Sequence, residues 1–234
     1  ALAAFRVLGP EARARLLGYL RPSLQVELAS RLSRDELARL MAAMSHDERV
    51  DLYKALDPAA REQLLPGLAK AERDDLRRLA AFPEGTVGSV MTSDYATLLP
   101  ILRAEQAVDA LRRQAPDVET VYSAYVVDGA HRLLGVVTLK DILLASPRPP
   151  VRQIMDSAPV VIKVDATREE AAALIARYDL LALPVVDENG RLVGIVTQDD
   201  AMDVAELEAT EDFHLSSNVK PFEDSVREAS GFTL

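Results

Sequence analysis

A unit of strand, turn, strand and helix start occurs twice in this chain, and an internal repeat restricts the possible folds more than any single motif. Residues 125–143 read YVVDGAHRLLGVVTLKDIL and residues 184–202 read PVVDENGRLVGIVTQDDAM. Asp128, Gly135, Thr138 and Asp141 recur 59 residues on as Asp187, Gly194, Thr197 and Asp200. Upstream, Val90-Met91 recurs as Ile154-Met155 with an offset of 64, so the first copy carries a five-residue insertion around residues 114–123. One such unit cannot close its own core. Two can, and the order β-α-β-β-α in each copy predicts a small sheet with two helices on one face, the copies packed about a pseudo-twofold.

The chain has 234 residues, 49% of them hydrophobic, with no Cys and no Trp. Without Cys there is no disulfide framework, thiolate metal site or thiol nucleophile. No apolar run reaches the roughly 18 residues of a membrane span. The sequence opens without Met on helical sequence, which reads as an excised piece of a longer protein. Charge is divided unevenly: residues 1–82 hold 14 Lys/Arg against 12 Asp/Glu, and residues 83–234 hold 13 against 25. Such acidity argues against nucleic acid and anionic lipid, which need clustered bases, and suits cations or basic partners.

Residues 1–82 are helix-forming, with breaks at Gly9-Pro10, Pro22, Ser33, Ser45, Asp57-Pro58 and Pro66-Gly67. Ser33-x-x-Glu36 and Ser45-x-x-Glu48 read as capping boxes, and Asp57-Pro58 as an N-cap followed by Pro at the first helical position. Helices of about ten residues are marginal alone, so a stacked solenoid is expected. The segment FPEGTVGSVMT (82–92) ends this pattern. The expected division is a helical domain over 1–82, repeat units over 83–147 and 148–204, an acidic helix over 205–217 and a tail over 218–234. The fold class is therefore α+β and multidomain, an all-α solenoid followed by two β-α-β-β-α units.

Between residues 199 and 212 lie seven carboxylates, Asp199, Asp200, Asp203, Glu206, Glu208, Glu211 and Asp212, and no Lys or Arg. At about 6 Å two unit charges repel by about 0.7 kcal/mol in water and about 3 kcal/mol at an effective dielectric of 20. Such a run by itself reads as a solvated face. Asp199 and Asp200 also suit a helix N-terminus, because Thr197-x-x-Asp200 is a capping box. Glu208, Glu211 and Asp212 sit where the helix dipole disfavours them. Oxygen donors without Cys, and three scattered His (His46, His131, His214), point to Mg²⁺ or Ca²⁺ rather than zinc or copper. Gly135-x-x-Thr138-x-x-Asp141 places a hydroxyl and a carboxylate at a helix start, which suits either capping or the docking of a phosphate and ribose. Tyr122, Tyr125 and Tyr178 read as core or edge aromatics, and His46 as a surface residue. No Gly-rich phosphate loop precedes a helix and no His has metal-binding spacing, so the chain does not read as an enzyme.

The doubled V-V-D … G-x-x-T-x-x-D unit resembles the CBS domain. The order of MSHDERVDLYKAL (44–56), FPEGTVGSVMT, APDVETVYSAYVVD (115–128), a CBS pair and EATEDFH (208–214) resembles the cytosolic region of MgtE-type magnesium channels. That resemblance implies a homodimer through the CBS pairs and a plug helix leading to a transmembrane domain that this chain lacks. It places the chain at the cytoplasmic face of the cell membrane, with several Mg²⁺ ions holding the assembly closed. The implied metal ligands are Asp47 and Asp51 on the helical domain, Glu169, Asp179, Asp200 and Asp203 on the CBS side, and Glu208, Glu211 and Asp212 on the plug helix. Some members bind ATP in the first CBS unit. The matching positions are Ser123, where an aromatic ring is usual, with Tyr125, Gly135, Thr138 and the ribose-binding Asp141. The chain departs from the family pattern at Glu84-Gly85, Ser89 and His214-Leu215. Two alternatives stay open, an adenine-nucleotide-sensing CBS module and a ligand-free dimerisation scaffold.

Overall fold

A computed structural model describes residues 2–205. Glu208, Glu211 and Asp212 lie outside the described residues.

The first part consists of helices α1 (Leu2–Val7), α2 (Pro10–Gly18), α3 (Pro22–Ser30), α4 (Arg34–Ala42), α5 (His46–Ala55), α6 (Pro58–Leu64) and α7 (Lys70–Ala80). Each predicted break precedes or opens a helix, and Pro stands at the start of α2, α3 and α6, where its missing N–H costs nothing. The Ser33–Glu36 box closes reciprocally, and the Asp57 carboxylate accepts from the Ala59 and Ala60 amides at 3.0 Å. The Ser45–Glu48 box does not close reciprocally: the Ser45 side chain makes no cap bond, and the Glu48 carboxylate lies beside Gly18 of α2. Helices pack two apart in sequence, α2 on α4, α3 on α5, α4 on α6 and α5 on α7, which is the expected solenoid.

The two repeat units follow. The first contains β1 (Tyr95–Leu98), α8 (Ala104–Gln114), β2 (Thr120–Val127), β3 (Leu133–Thr138) and α9 (Leu139–Leu144); the second contains β4 (Ile162–Lys163), α10 (Arg168–Tyr178), β5 (Ala182–Val186) and β6 (Leu192–Thr197). A helix α11 runs on from 198 through 205. In each three-stranded sheet the first pair is parallel and the second antiparallel. Tyr125, Val127, Leu192 and Ile195 form a core between the copies, and the hairpins meet where Leu133 donates to the Gly190 carbonyl and Leu192 to that of His131, both at 3.0 Å.

The structure explains the repeated motif residue by residue. Asp128 and Asp187 tie the two hairpin turns, each accepting two backbone amides at 2.8–2.9 Å. Gly135 and Gly194 admit a strand exchanged between the copies. Thr92, upstream of the first unit, pairs with Ile195 of the second, and Asp156, upstream of the second, pairs with Val136 of the first. A Cβ on Gly135 would overlap the Asp156 carbonyl oxygen. Thr138 and Thr197 open the last helix of each unit and are bonded to Asp141 and Asp200.

The exchange also decides where the helical domain is anchored. The segment after α7 is adjacent in sequence to the first unit but pairs with the second: Val87 donates to the Ala166 carbonyl at 2.8 Å and Gly88 to that of Val164 at 3.0 Å. One apolar core therefore runs from Phe5 through Leu52, Leu79, Val87 and Met91 into Leu183, Val196 and Ala201.

A candidate cation cleft between the helical domain and the CBS pair

A cleft of about 970 Å³ lies where α2, α3 and α5 face α11. Helix α5 supplies Asp47, Glu48 and Asp51, and α11 supplies Asp199, Asp200 and Asp203. Between them stands Glu119, carried by the five-residue insertion of the first unit, with its amide donating to the Asp94 carbonyl at 2.8 Å. The cleft thus gathers carboxylates from all three modules. Its cationic side chains are Arg15 and Arg168, and Arg168 is engaged by Glu169 at 2.9 Å.

Burial first, and neighbouring carboxylates second, raise the proton affinity of several of these acids. Asp200 is pushed up to about 8, by partial burial first and by Asp47 next, against the hydrogen bond from Thr197. Glu119 is pushed up to about 7 by its enclosed position and by Asp47 and Asp94, and Asp51 to about 6 by the same enclosure and Asp47. Asp47 and Glu48 are raised as well, chiefly by burial. Glu119 and Asp51 remain exposed to water within the cleft, so enclosure by protein walls is felt together with partial solvent screening.

Of the implied metal ligands, the structure brings Asp47, Asp51, Asp200 and Asp203 together. Glu169 begins α10 outside the cleft lining, its carboxylate held low by Arg168. Asp179 is exposed at the C-terminal end of α10 in a left-handed conformation, φ 51°. Among the described residues no group of three or more His, Cys, Asp or Glu is close enough to form a ready-made metal site.

The nucleotide set divides. Ser123 and Thr138 line a second, mainly apolar cleft of about 670 Å³ with Leu139, Lys140 and Leu143. Tyr125, by contrast, is fully buried between the copies, edge-on to Tyr95. Gly135 is covered by Met155 and Asp156. Neither lines that cleft. Asp141 is exposed and caps α9. Tyr122 and Tyr178 are at the surface, 62% and 48% exposed.

Two positions at or beside the cleft were missed by sequence reasoning. Glu119 sits in the insertion, whose length was the available signal. His46, expected at the surface, is 19% exposed and faces Asp75 and Asp94; the low solvent access comes from α7 and the segment after Thr92 closing over it.

A tandem CBS pair with a helical domain docked on its second unit is the class these elements define. A family profile for the MgtE intracellular N domain matches residues 1–85, and that for the CBS domain matches residues 87–148 and 151–206. A structure of the cytosolic domain of the Mg²⁺ channel MgtE in complex with ATP is 38% identical, covering 87% of this chain and 83% of that one with a TM-score of 0.84. The soluble part of a magnesium transporter aligns at 28% identity and a TM-score of 0.76, over 88% of this chain and 86% of that one. The magnesium transporter MgtE of Thermus thermophilus is 48% identical over 142 residues, 61% of this chain and 32% of the relative. The chain belongs to the MgtE family and comprises its N domain and CBS pair. The matched region spans about a third of the length of its curated MgtE relatives. Among the described residues no helix is long and apolar enough to cross a membrane.

The raised carboxylates fix the sign of a pH effect in the metal-free protein. In the docked, closed arrangement Asp51, Glu119 and Asp200 hold protons up to about pH 6 to 8; separating α5 from α11 would return them toward ordinary carboxylates. The closed form binds more protons, so protonation favours closure, and that contribution is lost as pH rises through the closed-state values. In chelator, protease protection between α5 and α11 is expected to be greater near pH 6 than near pH 8.

Proposed function

We propose that this region is the Mg²⁺-sensing part of an MgtE-type channel at the cytoplasmic side of the membrane, and that cation binding in the cleft holds the N domain against the CBS pair. The observation that carries the reading is the meeting of α5, Glu119 and α11, three chain segments whose acids repel until a divalent ion joins them. Because the bridged form binds the ion more tightly, Mg²⁺ shifts the equilibrium by its differential affinity and no further. Several ions are expected along this surface, with Glu169, Asp179 and the plug-helix acids Glu208, Glu211 and Asp212 as further ligands. Closure is then transmitted through α11 to the membrane domain. A homodimer through the CBS units is supported by Leu143, Leu144 and Met202, which are 62%, 76% and 59% exposed on α9 and α11.

Asp203→Ala tests the reading. Asp203 is exposed, so the repulsion it adds is screened and its loss chiefly removes a ligand. More Mg²⁺, about threefold to tenfold, is expected for half-maximal protection of the N domain from protease, since a weakened ion contact of about 1 kcal/mol is a factor of about five. An unchanged midpoint would remove Asp203 from the site.

A second reading, adenine-nucleotide sensing, is favoured by the cleft beside Ser123 and Thr138 and by the relative solved with ATP. With adenine-stacking at position 123 replaced by Ser, the apolar wall of Leu139 and Leu143 is what remains to hold a base. A protection response to ATP without Mg²⁺ would favour it.

A further inference from the structure

The three acid-bearing segments of the cleft share one neighbour, the short stretch Thr92-Ser93-Asp94 that enters the first CBS unit. Thr92 is fully buried and exchanges both backbone bonds with Ile195, at 2.9 and 3.0 Å, two residues before the Thr197 that opens α11. The Asp94 carbonyl accepts the Glu119 amide at 2.8 Å. Ser93 Oγ donates to Asp75 Oδ2 at 2.9 Å and bonds His46 Nδ1, which also lies 3.0 Å from Asp75 Oδ2 and 3.3 Å from Asp94 Oδ1. His46 is the residue before Asp47. Arg78 of α7 completes the cluster, 2.6 Å from Asp75 Oδ1 and 3.3 Å from the Val193 carbonyl on β6.

From this geometry we infer that Ser93 and His46 are positioning residues for the cation cleft: their contact with Asp75 latches α5 to the CBS pair without metal, and sets the rotation that turns Asp47 and Asp51 toward α11. The inference rests on the cleft being the cation site, but the latch itself contains no cleft carboxylate and acts in the metal-free protein. Asp75 fits this role. Burial pushes its carboxyl up, yet hydrogen bonds from His46, Arg78 and Ser93 hold it well below the usual range, so it is a charged acceptor for three donors. Hydrogen bonds to a charged group are the stronger kind. Helix α5 thus has two working sides, His46 toward the latch and Asp47 with Asp51, one turn apart, toward the cleft.

The test is amide hydrogen exchange of α5 and of residues 92–95 in chelator, on wild type, Ser93→Ala and Ser93→Thr. Removing the hydroxyl deprives Asp75 and His46 of a shared partner, and interface amides are expected to exchange about tenfold faster, the shift that follows from losing a charge-assisted hydrogen bond. Amides within α4, remote from the interface, are expected to keep their wild-type rate. Ser93→Thr retains the hydroxyl and is expected to restore slow exchange, a rescue that a purely space-filling role does not give. Wild-type rates in Ser93→Ala, or equal acceleration in Ser93→Thr, would overturn the latch. Magnesium titration of the wild type decides the cation reading separately: slow exchange lost in Ser93→Ala with no Mg²⁺ response in wild type would leave the latch standing and remove the sensor.

Discussion

Asp200→Asn is expected to close the metal-free protein and at the same time to blunt its response to Mg²⁺. Asp200 is pushed up to about 8, by burial first and then by Asp47. Near neutral pH the closed form must protonate it, separate it from Asp47, or bridge the pair with a cation. Asn removes one charge and keeps an oxygen that can accept from Thr197, so the start of α11 is preserved. Two charges about 6 Å apart at an effective dielectric of 20 interact by about 3 kcal/mol, and screening by cleft water reduces this. A tenfold rise in N-domain protection in chelator is therefore expected, with a smaller further gain on adding Mg²⁺. The opposite signs separate this site from an ordinary helix cap, whose loss would reduce protection in both conditions. Limited proteolysis in chelator and in excess Mg²⁺, on wild type and variant, checks both halves.

Gly135→Ala is expected to be among the most destabilising single-methyl changes in the chain. The added carbon would overlap the Asp156 carbonyl oxygen, a backbone atom, and would press on Met155 Sδ at 2.9 Å. Asp156 cannot yield without breaking its two bonds to Val136, at 2.8 and 3.0 Å, which tie the second copy to the first. Overpacking of this kind costs about 1–3 kcal/mol. For 150–250 residues each kcal/mol lowers the melting temperature by about 2–4 °C. Gly194→Ala makes a useful contrast. It meets Met91 Sδ at 2.5 Å, Met91 Cγ at 2.8 Å and the Thr92 carbonyl oxygen at 3.0 Å, so the closest clash is with a side chain, and a methionine swings aside more readily than a backbone does. The loss at Gly194 should be the smaller of the two; equal and negligible losses would mean that the exchanged strands are not held as closely as described.

Most of the fold was legible because its determinants are local. Pro and Asp at helix starts, the strand period, and an internal repeat with a fixed offset each specify structure over a few residues. The sequence motif Gly-x-x-Thr-x-x-Asp was legible as a helix start, but the reason for its glycine was not. That reason is the exchanged strand, which reaches Gly135 from residues 155–156 and Gly194 from residues 91–92. The offset of 64 upstream against 59 downstream already marked the insertion, and it needed a structure to show that the extra residues bring Glu119 beside Asp47 and Asp200. Ser45-x-x-Glu48 misled for a related reason. A capping box is a local preference, and the approach of the Glu48 carboxylate to Gly18 is a contact between helices that spacing along the chain does not encode. His46 was read as exposed because nothing within α5 covers it; α7 and Ser93-Asp94 do.

The most direct test of the cleft as a cation-operated joint is the distance between spin labels on α5 and α11, outside the acidic positions, during Mg²⁺ titration at ionic strength matched with Na⁺. Bridging predicts a broad distribution in chelator that collapses to one short distance as Mg²⁺ rises, with no such collapse in Na⁺ alone. A distribution identical in chelator, Na⁺ and saturating Mg²⁺ would contradict it.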